Sequence, residues 1–148
     1  GKTLDLKTQG SVTMPTGSVL QVVSTTYGTQ VSFTSSSYAD SGLSATITPS
    51  SSSNKILIIA NAQGYINGTG QIGMNIVRDS TQIEEADKIL GYVDNTSAMM
   101  TLIELDSPST TNAVTYKVQV KRTAGTATMK INQQTGDGCK LILQEIQG

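Results

Sequence analysis

With 148 residues, 10 basic and 11 acidic side chains, a formal net charge of −1 and a pI near 5.2, this chain has no general field to attract nucleic acid or an anionic membrane. It contains no His, which removes Ser-His-Asp and Cys-His catalysis and His-based metal sites, and a lone Cys139 excludes an intramolecular disulfide and a Cys-rich zinc site. Ser and Thr fill 38 positions and aromatics only 4%, a composition that suits short strands and many turns rather than helices, because Thr is β-branched and Ser competes with helical backbone bonding.

A single domain of this size buries roughly two thirds of its unfolded surface and needs neither metal nor disulfide to fold, so no cofactor is expected. No apolar run reaches the ~18 residues of a spanning helix and no basic-then-apolar leader is present, so membrane insertion is not expected. The chain opens Gly1-Lys2 without Met, which reads as an expression scar or an internal cut from a longer polypeptide.

Residues 1–17 read as the end of a fibrous stalk. Leu4 and Leu6 alternate with polar neighbours, then Val12 and Met14 do the same after Gln9-Gly10, and each rung is too short to bury its own apolar side. Leu4 and Leu6 are therefore expected at a contact between identical chains. Pro15-Thr16-Gly17 breaks the pattern, and residues 18–148 read as the head domain.

Nine strand signals follow at close, even spacing: residues 18–25, 30–34, 43–48, 55–63, 71–78, 98–105, 113–121, 126–132 and 140–146. Such spacing without helical period predicts an all-β, antiparallel, jelly-roll-like sandwich. Leu43, Ala45 and Ile47 alternate with Ser44, Thr46 and Thr48, the signature of a strand with one wet face, and Pro49 with the serines after it forces a reversal or crossover. The following run Ile56-Leu57-Ile58-Ile59-Ala60 does not alternate and must be covered on both faces. The second cover is expected to be a copy of the chain, with Ile56 and Ile58 at a trimer contact. Arg78-Asp79-Ser80-Thr81 predicts a tight hairpin, and Ile83 to Leu90 is the one stretch compatible with a turn or two of helix.

Charge is uneven. Between Asp79 and Asp106 seven acids stand against Lys88 alone, whereas from Ser107 onward five bases face Asp137 and Glu145. Complementary neighbouring strands explain this. Glu84, Glu85 and Asp87 have no aromatic neighbours to stack a sugar for glycosidase chemistry, and Gly68-Thr69-Gly70 lacks the Lys and helix of a phosphate loop. Cys139 reads as a small half-buried residue rather than a reactive thiol. No enzymatic activity is expected.

The functional signal lies in loop composition. Tyr65, Asn67, Tyr92, Asp94 and Asn95 bring rigid amphipathic rings and adaptable polar groups to presumed turns, the residue types of binding loops. Ile83 to Ser97 joins two confident strands by far more than a typical connection of about 4–6 residues, so it is the expected receptor-contacting surface.

Several stretches carry a family resemblance: Met14-Pro15-Thr16-Gly17-Ser18-Val19-Leu20-Gln21-Val22-Val23, Gly42 to Pro49 running through serines to Asn54-Lys55-Ile56-Leu57-Ile58, Ile76 to Thr81, Leu105 to Pro108 with Val114 to Gln119, and Leu141 to Ile146. In this order and spacing they resemble the C-terminal domain of tail fibre proteins of tailed bacteriophages, particularly of marine bacteria. The resemblance covers most of residues 14–146 and implies a trimeric β-sandwich head on a stalk, located on the virion and extracellular, which contacts the host surface. The resulting expectation is a homotrimeric tip that adheres to a host-surface glycan or protein, with no nucleic-acid partner. The alternatives are a structural virion head, trimerisation or decoration domain without receptor contact, or a secreted cellular adhesion module.

Overall fold

The structure, a computed structural model describing residues 14–91, 95–133 and 138–148, contains ten strands and no helix among those residues. They are β1 (Val19–Tyr27), β2 (Val31–Phe33), β3 (Ala39–Ile47), β4 (Lys55–Asn67), β5 (Gly70–Arg78), β6 (Thr81–Gly91), β7 (Thr96–Asp106), β8 (Val114–Gly125), β9 (Thr128–Ile131) and β10 (Cys139–Ile146). Ahead of them a turn closes from the Ser18 amide to the Pro15 carbonyl at 3.0 Å, with Gly17 at φ +87°, a conformation that favours glycine at this position. The expected stalk rungs, with Leu4 and Leu6, lie outside the described residues.

Two antiparallel sheets pack as a jelly-roll-like sandwich. The first, sheet A, runs β1-β10-β4-β9-β2, with β7 along the other edge of β4; the second, sheet B, runs β3-β8-β5-β6. The 13-residue β4 organises sheet A because β10 pairs with its first half and β9 with its end, while β7 follows it from Ile56↔Asp106 to Ile66↔Thr96. The alternation read from sequence sets the inner faces. Leu43, Ala45 and Ile47 of β3 and Val114, Tyr116 and Val118 of β8 meet the inward residues of β4, β7 and β10 in one core. Each fully buried Ile or Leu contributes roughly 1.5–3 kcal/mol.

The run Ile56 to Ala60 resolves into two faces. Ile56, Ile58 and Ala60 are fully buried by the chain's own second sheet, so the expectation that Ile56 and Ile58 form a trimer contact is corrected: both are core residues. Leu57 and Ile59 point outward and are half-buried by strand neighbours, with no second layer over them among the described residues. The strand buried along nearly its whole length on both faces is instead β5.

A second correction concerns Ile83 to Ser97. Ile83 to Leu90 forms no helical turn and most of the stretch is strand: residues 81–91 form β6, hairpinned to β5 through Asp79-Ser80, and β7 starts at Thr96. Register shifts between Ile72 and Met74 and between Ile76 and Val77 interrupt the ladder. Bulges of this kind break period two, which leaves Ile83, Ala86 and Ile89 packed against the core at a spacing of three that imitates a helix. The predicted hairpin at residues 78–81 is present, with Asp79 at φ +53°.

Polar ties fix the sheets to each other and close their ends. Arg78 of β5 donates through Nη1 to Asp106 Oδ1 and Oδ2 at 2.8 and 2.7 Å, and the buried Tyr116 hydroxyl donates to Asp106 Oδ2 at 2.7 Å, joining β7 of sheet A to sheet B. At the C-terminal end Glu145 accepts four hydrogen bonds of 2.6–2.7 Å, from Gln21 Nε2, the Ser50 amide, Ser50 Oγ and Asn54 Nδ2. Burial alone would raise its pKa, but those donors hold it below the ordinary carboxylate value. Asn132 donates to the Tyr27 carbonyl and accepts from Cys139 Sγ at 3.3 Å. Burial pushes the Cys139 thiol pKa up, which makes it an inert core residue, more deeply buried than expected.

Candidate functional site

Three surfaces combine chemistry with accessibility. The first is the outer face of sheet A. Cross-strand register places Leu57 opposite Leu105 and Ile59 opposite Ile103 on one side, and Ile59 opposite Ile142 on the other. Further along, Met99 lies opposite Gln63. Ile103 is 61% exposed and Met99 54%, and Leu105 and Val22 are exposed as well. Among the described residues the outermost strand here is β7, whose 11 residues carry no Lys or Pro and whose charges, Glu104 and Asp106, lie at its C-terminal end.

The second surface holds the sequence-predicted residues. The Tyr65 hydroxyl donates to Asn95 Oδ1 at 3.1 Å, bringing together two of them from 30 positions apart in the chain. Asn95 adopts φ +50°, which its short polar side chain tolerates. Lys130 Nζ lies 5.7 Å from the Tyr65 ring centroid, and Ser97 Oγ and Gln133 Oε1 are 2.9 Å apart beside it. Asn67 is exposed at the end of the same strand, facing the same side as Tyr65 by strand parity. Tyr92 and Asp94 lie outside the described residues.

The third surface, the outer face of sheet B, was not found from sequence. Lys121 of β8 reaches across β5 to Glu85 Oε1 at 3.0 Å and Asp87 Oδ1 at 2.6 Å on β6. It can cross because position 73 is Gly: a Cβ there would meet Thr123 Cγ2 at 2.9 Å and Lys121 Cε at 3.2 Å. Tyr38 lies under the Lys121 ammonium, 4.2 Å from ring centroid to Nζ, and its hydroxyl donates to Glu85 Oε1 at 2.9 Å. Lys121 and Tyr38 together hold the Glu85 carboxyl down to about 2, while burial and then Glu85 push the Tyr38 phenol far above its ordinary value. This is the complementarity that the uneven charge predicted.

Beside Tyr38 a cleft of about 320 Å³ opens over Asn75, Val77, Gln82, Lys117 and Gln119, closed at one end by the Asp79-Ser80 turn. The turn is pinned to β8: the Asp79 amide donates to the Thr115 carbonyl at 2.8 Å, and the Thr115 amide donates to Asp79 Oδ1 at 2.9 Å. Outward alternation along β8 was the available signal for Lys117, Gln119 and Lys121. Nothing local marks Tyr38, which follows a serine run and arrives over sheet B only through the fold.

No family model matches the sequence, and no curated protein matches it. Among solved structures, the fold is similar to that in T=1 particles derived from infectious bursal virus, with a TM-score of 0.52 and 11% identity over 99% of this chain and 40% of that one. It is equally similar to the VP2 subviral particle of infectious bursal disease virus, with a TM-score of 0.52 and 11% identity over 98% of this chain and 41% of that one. The chain thus spans about two fifths of the length of these structures. At this identity the likeness is one of fold, an all-β viral capsid type of sandwich. It corrects the tail-fibre reading: the solved structures that this chain resembles are infectious bursal disease virus particles, not bacteriophage tail fibres.

Proposed function

We propose that this chain is a structural domain of a virion that associates with copies of itself through the outer face of sheet A. The observation that carries the reading is the apolar face built by half-buried Leu57, Ile59 and Ile142 and exposed Met99, Ile103 and Leu105, over which no second layer lies among the described residues. Contiguous apolar surface on a globular domain marks an interaction site. The likeness to VP2 supports a second copy as the occupant, because those structures are themselves particles built from repeated chains. The role is non-enzymatic, in keeping with a chain that lacks His.

Static light scattering tests it. The parent chain is expected to show a mass that is a multiple of its 15.5 kDa, three chains being the order expected from sequence. Ile103→Asp places a charge on an already exposed position, so it is expected to lower that mass while leaving the melting temperature nearly unchanged. A parent that is monomeric at every concentration, or a variant that keeps the parent's mass, rejects the reading.

A further inference from the structure

We propose that the cleft on the outer face of sheet B binds a neutral sugar, a single pyranose unit of a glycan. Asn75 carries the inference. It is 1% exposed, it lines the cleft, and its Nδ2 donates to Gln82 Oε1 at 2.9 Å, whereas its Oδ1 receives no hydrogen bond from the protein. The orientation of that amide is dictated by a relay. Gln82 Nε2 donates to Glu85 Oε2 at 2.8 Å, and Glu85 is held ionised by Lys121 and Tyr38. A carboxylate accepts only, so Gln82 turns its NH₂ to Glu85 and its oxygen to Asn75, and Asn75 must answer with its NH₂. Asn75 Oδ1 is left as a buried acceptor with no donor, which is costly unless something entering the cleft supplies one.

Gln119 repeats the arrangement on the neighbouring strand, directly opposite Asn75. Its Nε2 donates to Asp40 Oδ1 at 2.6 Å, so its oxygen is the end left for a ligand. Two pre-oriented acceptors on the floor call for a ligand with adjacent hydroxyl donors. Lys117 and the Ser80 hydroxyl on the cleft wall supply donors in return, and the Tyr38 ring supplies amphipathic surface. The lining holds one base, Lys117, and one acid, Asp79, so no net field favours a phosphate or sulfate, whose oxygens Asn75 and Gln119 would repel. An apolar ligand would leave Asn75 unsatisfied. A peptide added as a strand needs a free sheet edge, whereas this cleft lies over the paired strands β5 and β8. About 320 Å³ is at the small end of ligand sites, the scale of one ring rather than an extended chain. This site is separate from the apolar face of sheet A, so it stands or falls independently of the assembly reading.

Saturation-transfer NMR on the full chain tests the proposal, with methyl pyranosides of glucose, galactose, mannose and N-acetylglucosamine as probes and inorganic phosphate and a capped glycine amide as controls. At least one pyranoside is expected to receive saturation. That signal is expected to disappear in Asn75→Leu and to need about tenfold more ligand in Gln119→Ala, the effect of one lost hydrogen bond. Asn75→Leu removes an unsatisfied buried acceptor, so it is expected to melt at or above the parent temperature with the parent's mass, a pattern that a purely structural Asn75 does not produce. The proposal is overturned by silence of all four pyranosides, by a signal that survives Asn75→Leu, or by binding of phosphate or the amide in their place. If Asn75→Leu does not fold, Gln119→Ala decides alone, and an unweakened sugar signal in it overturns the site.

Discussion

The outer faces of the two sheets solve the same problem in opposite ways. Sheet B covers itself: Lys121 spans β5 to reach β6, Tyr38 lies beneath it, and Gln82 and Gln119 tie down to acids, so that Asn75 and Val77 of a central strand are buried without a third layer. Sheet A leaves Leu57, Ile59, Ile103 and Leu105 facing outward, with only strand neighbours beside them among the described residues. Long charged side chains can shield a sheet face because their stems are apolar and their heads stay wet. Short branched side chains cannot, so they depend on another surface. The contrast separates a face shielded by its own long side chains from a face whose apolar side chains stay exposed among the described residues.

The sharpest test of that contrast uses two adjacent residues of β4. Ile58→Asp puts an unpaired charge in the core and is expected to cost about 4 kcal/mol or more, a large part of a typical domain stability of about 5–15 kcal/mol, seen as loss of the cooperative thermal transition. Ile59→Asp, facing outward, is expected to cost about 1 kcal/mol from lost pairing with Ile103 and Ile142, with its main effect a lower mass in light scattering. Equal destabilisation by the two substitutions would erase the distinction between the faces.

Sheet A keeps its buried charge on the inner side, at Glu145, which is 1% exposed and the one charged residue that is fully buried among the described residues. Glu145→Gln turns an NH₂ toward donors and is expected to cost about 1.5–3 kcal/mol, measured by urea denaturation. The same carboxylate gives a pH dependence of defined sign. Its folded pKa lies below the ordinary value of 4.5, so its stabilisation is complete above that value and is lost as pH falls through the folded pKa. The urea midpoint of the parent is expected to fall more steeply below about pH 4 than that of Glu145→Gln.

The smallest expected effect lies on sheet B. Gly73→Ala crowds Thr123 and the Lys121 stem and is expected to cost about 1 kcal/mol in thermal melts. Because Lys121 carries the cover, the substitution is also expected to increase hydrogen exchange of β6 amides while leaving β4 amides unchanged.

Strand positions were legible because the side-chain period of a strand is local: Leu43 to Thr48, Val114 to Lys121 and Met129 to Ile131 show their inward residues without reference to any partner. The two-residue hairpin at Asp79-Ser80 and the turn at Gly17 were legible for the same reason, since turn chemistry sits in the turn itself. What escaped was non-local. Strand β6 was hidden by register shifts that exist only against β5, and the exchange of Ile56 and Ile58 for Leu57 and Ile59 as outward residues depended on which side the second sheet packs. Tyr65 and Asn95 stand out in the sequence by their chemistry, but only the pairing of β4 with β7 brings them within hydrogen-bond distance. The cleft at Asn75 had no sequence signal, because an acceptor becomes an unmet one only when Gln82 and Glu85 are folded around it. The sequence by itself determined that this chain forms a two-faced antiparallel β-structure, because alternation and turn residues act over a few positions. Which faces are core, which are covered by long charged side chains and which keep apolar side chains exposed was decided by the tertiary structure, because burial and hydrogen-bond satisfaction belong to residues far apart in the chain.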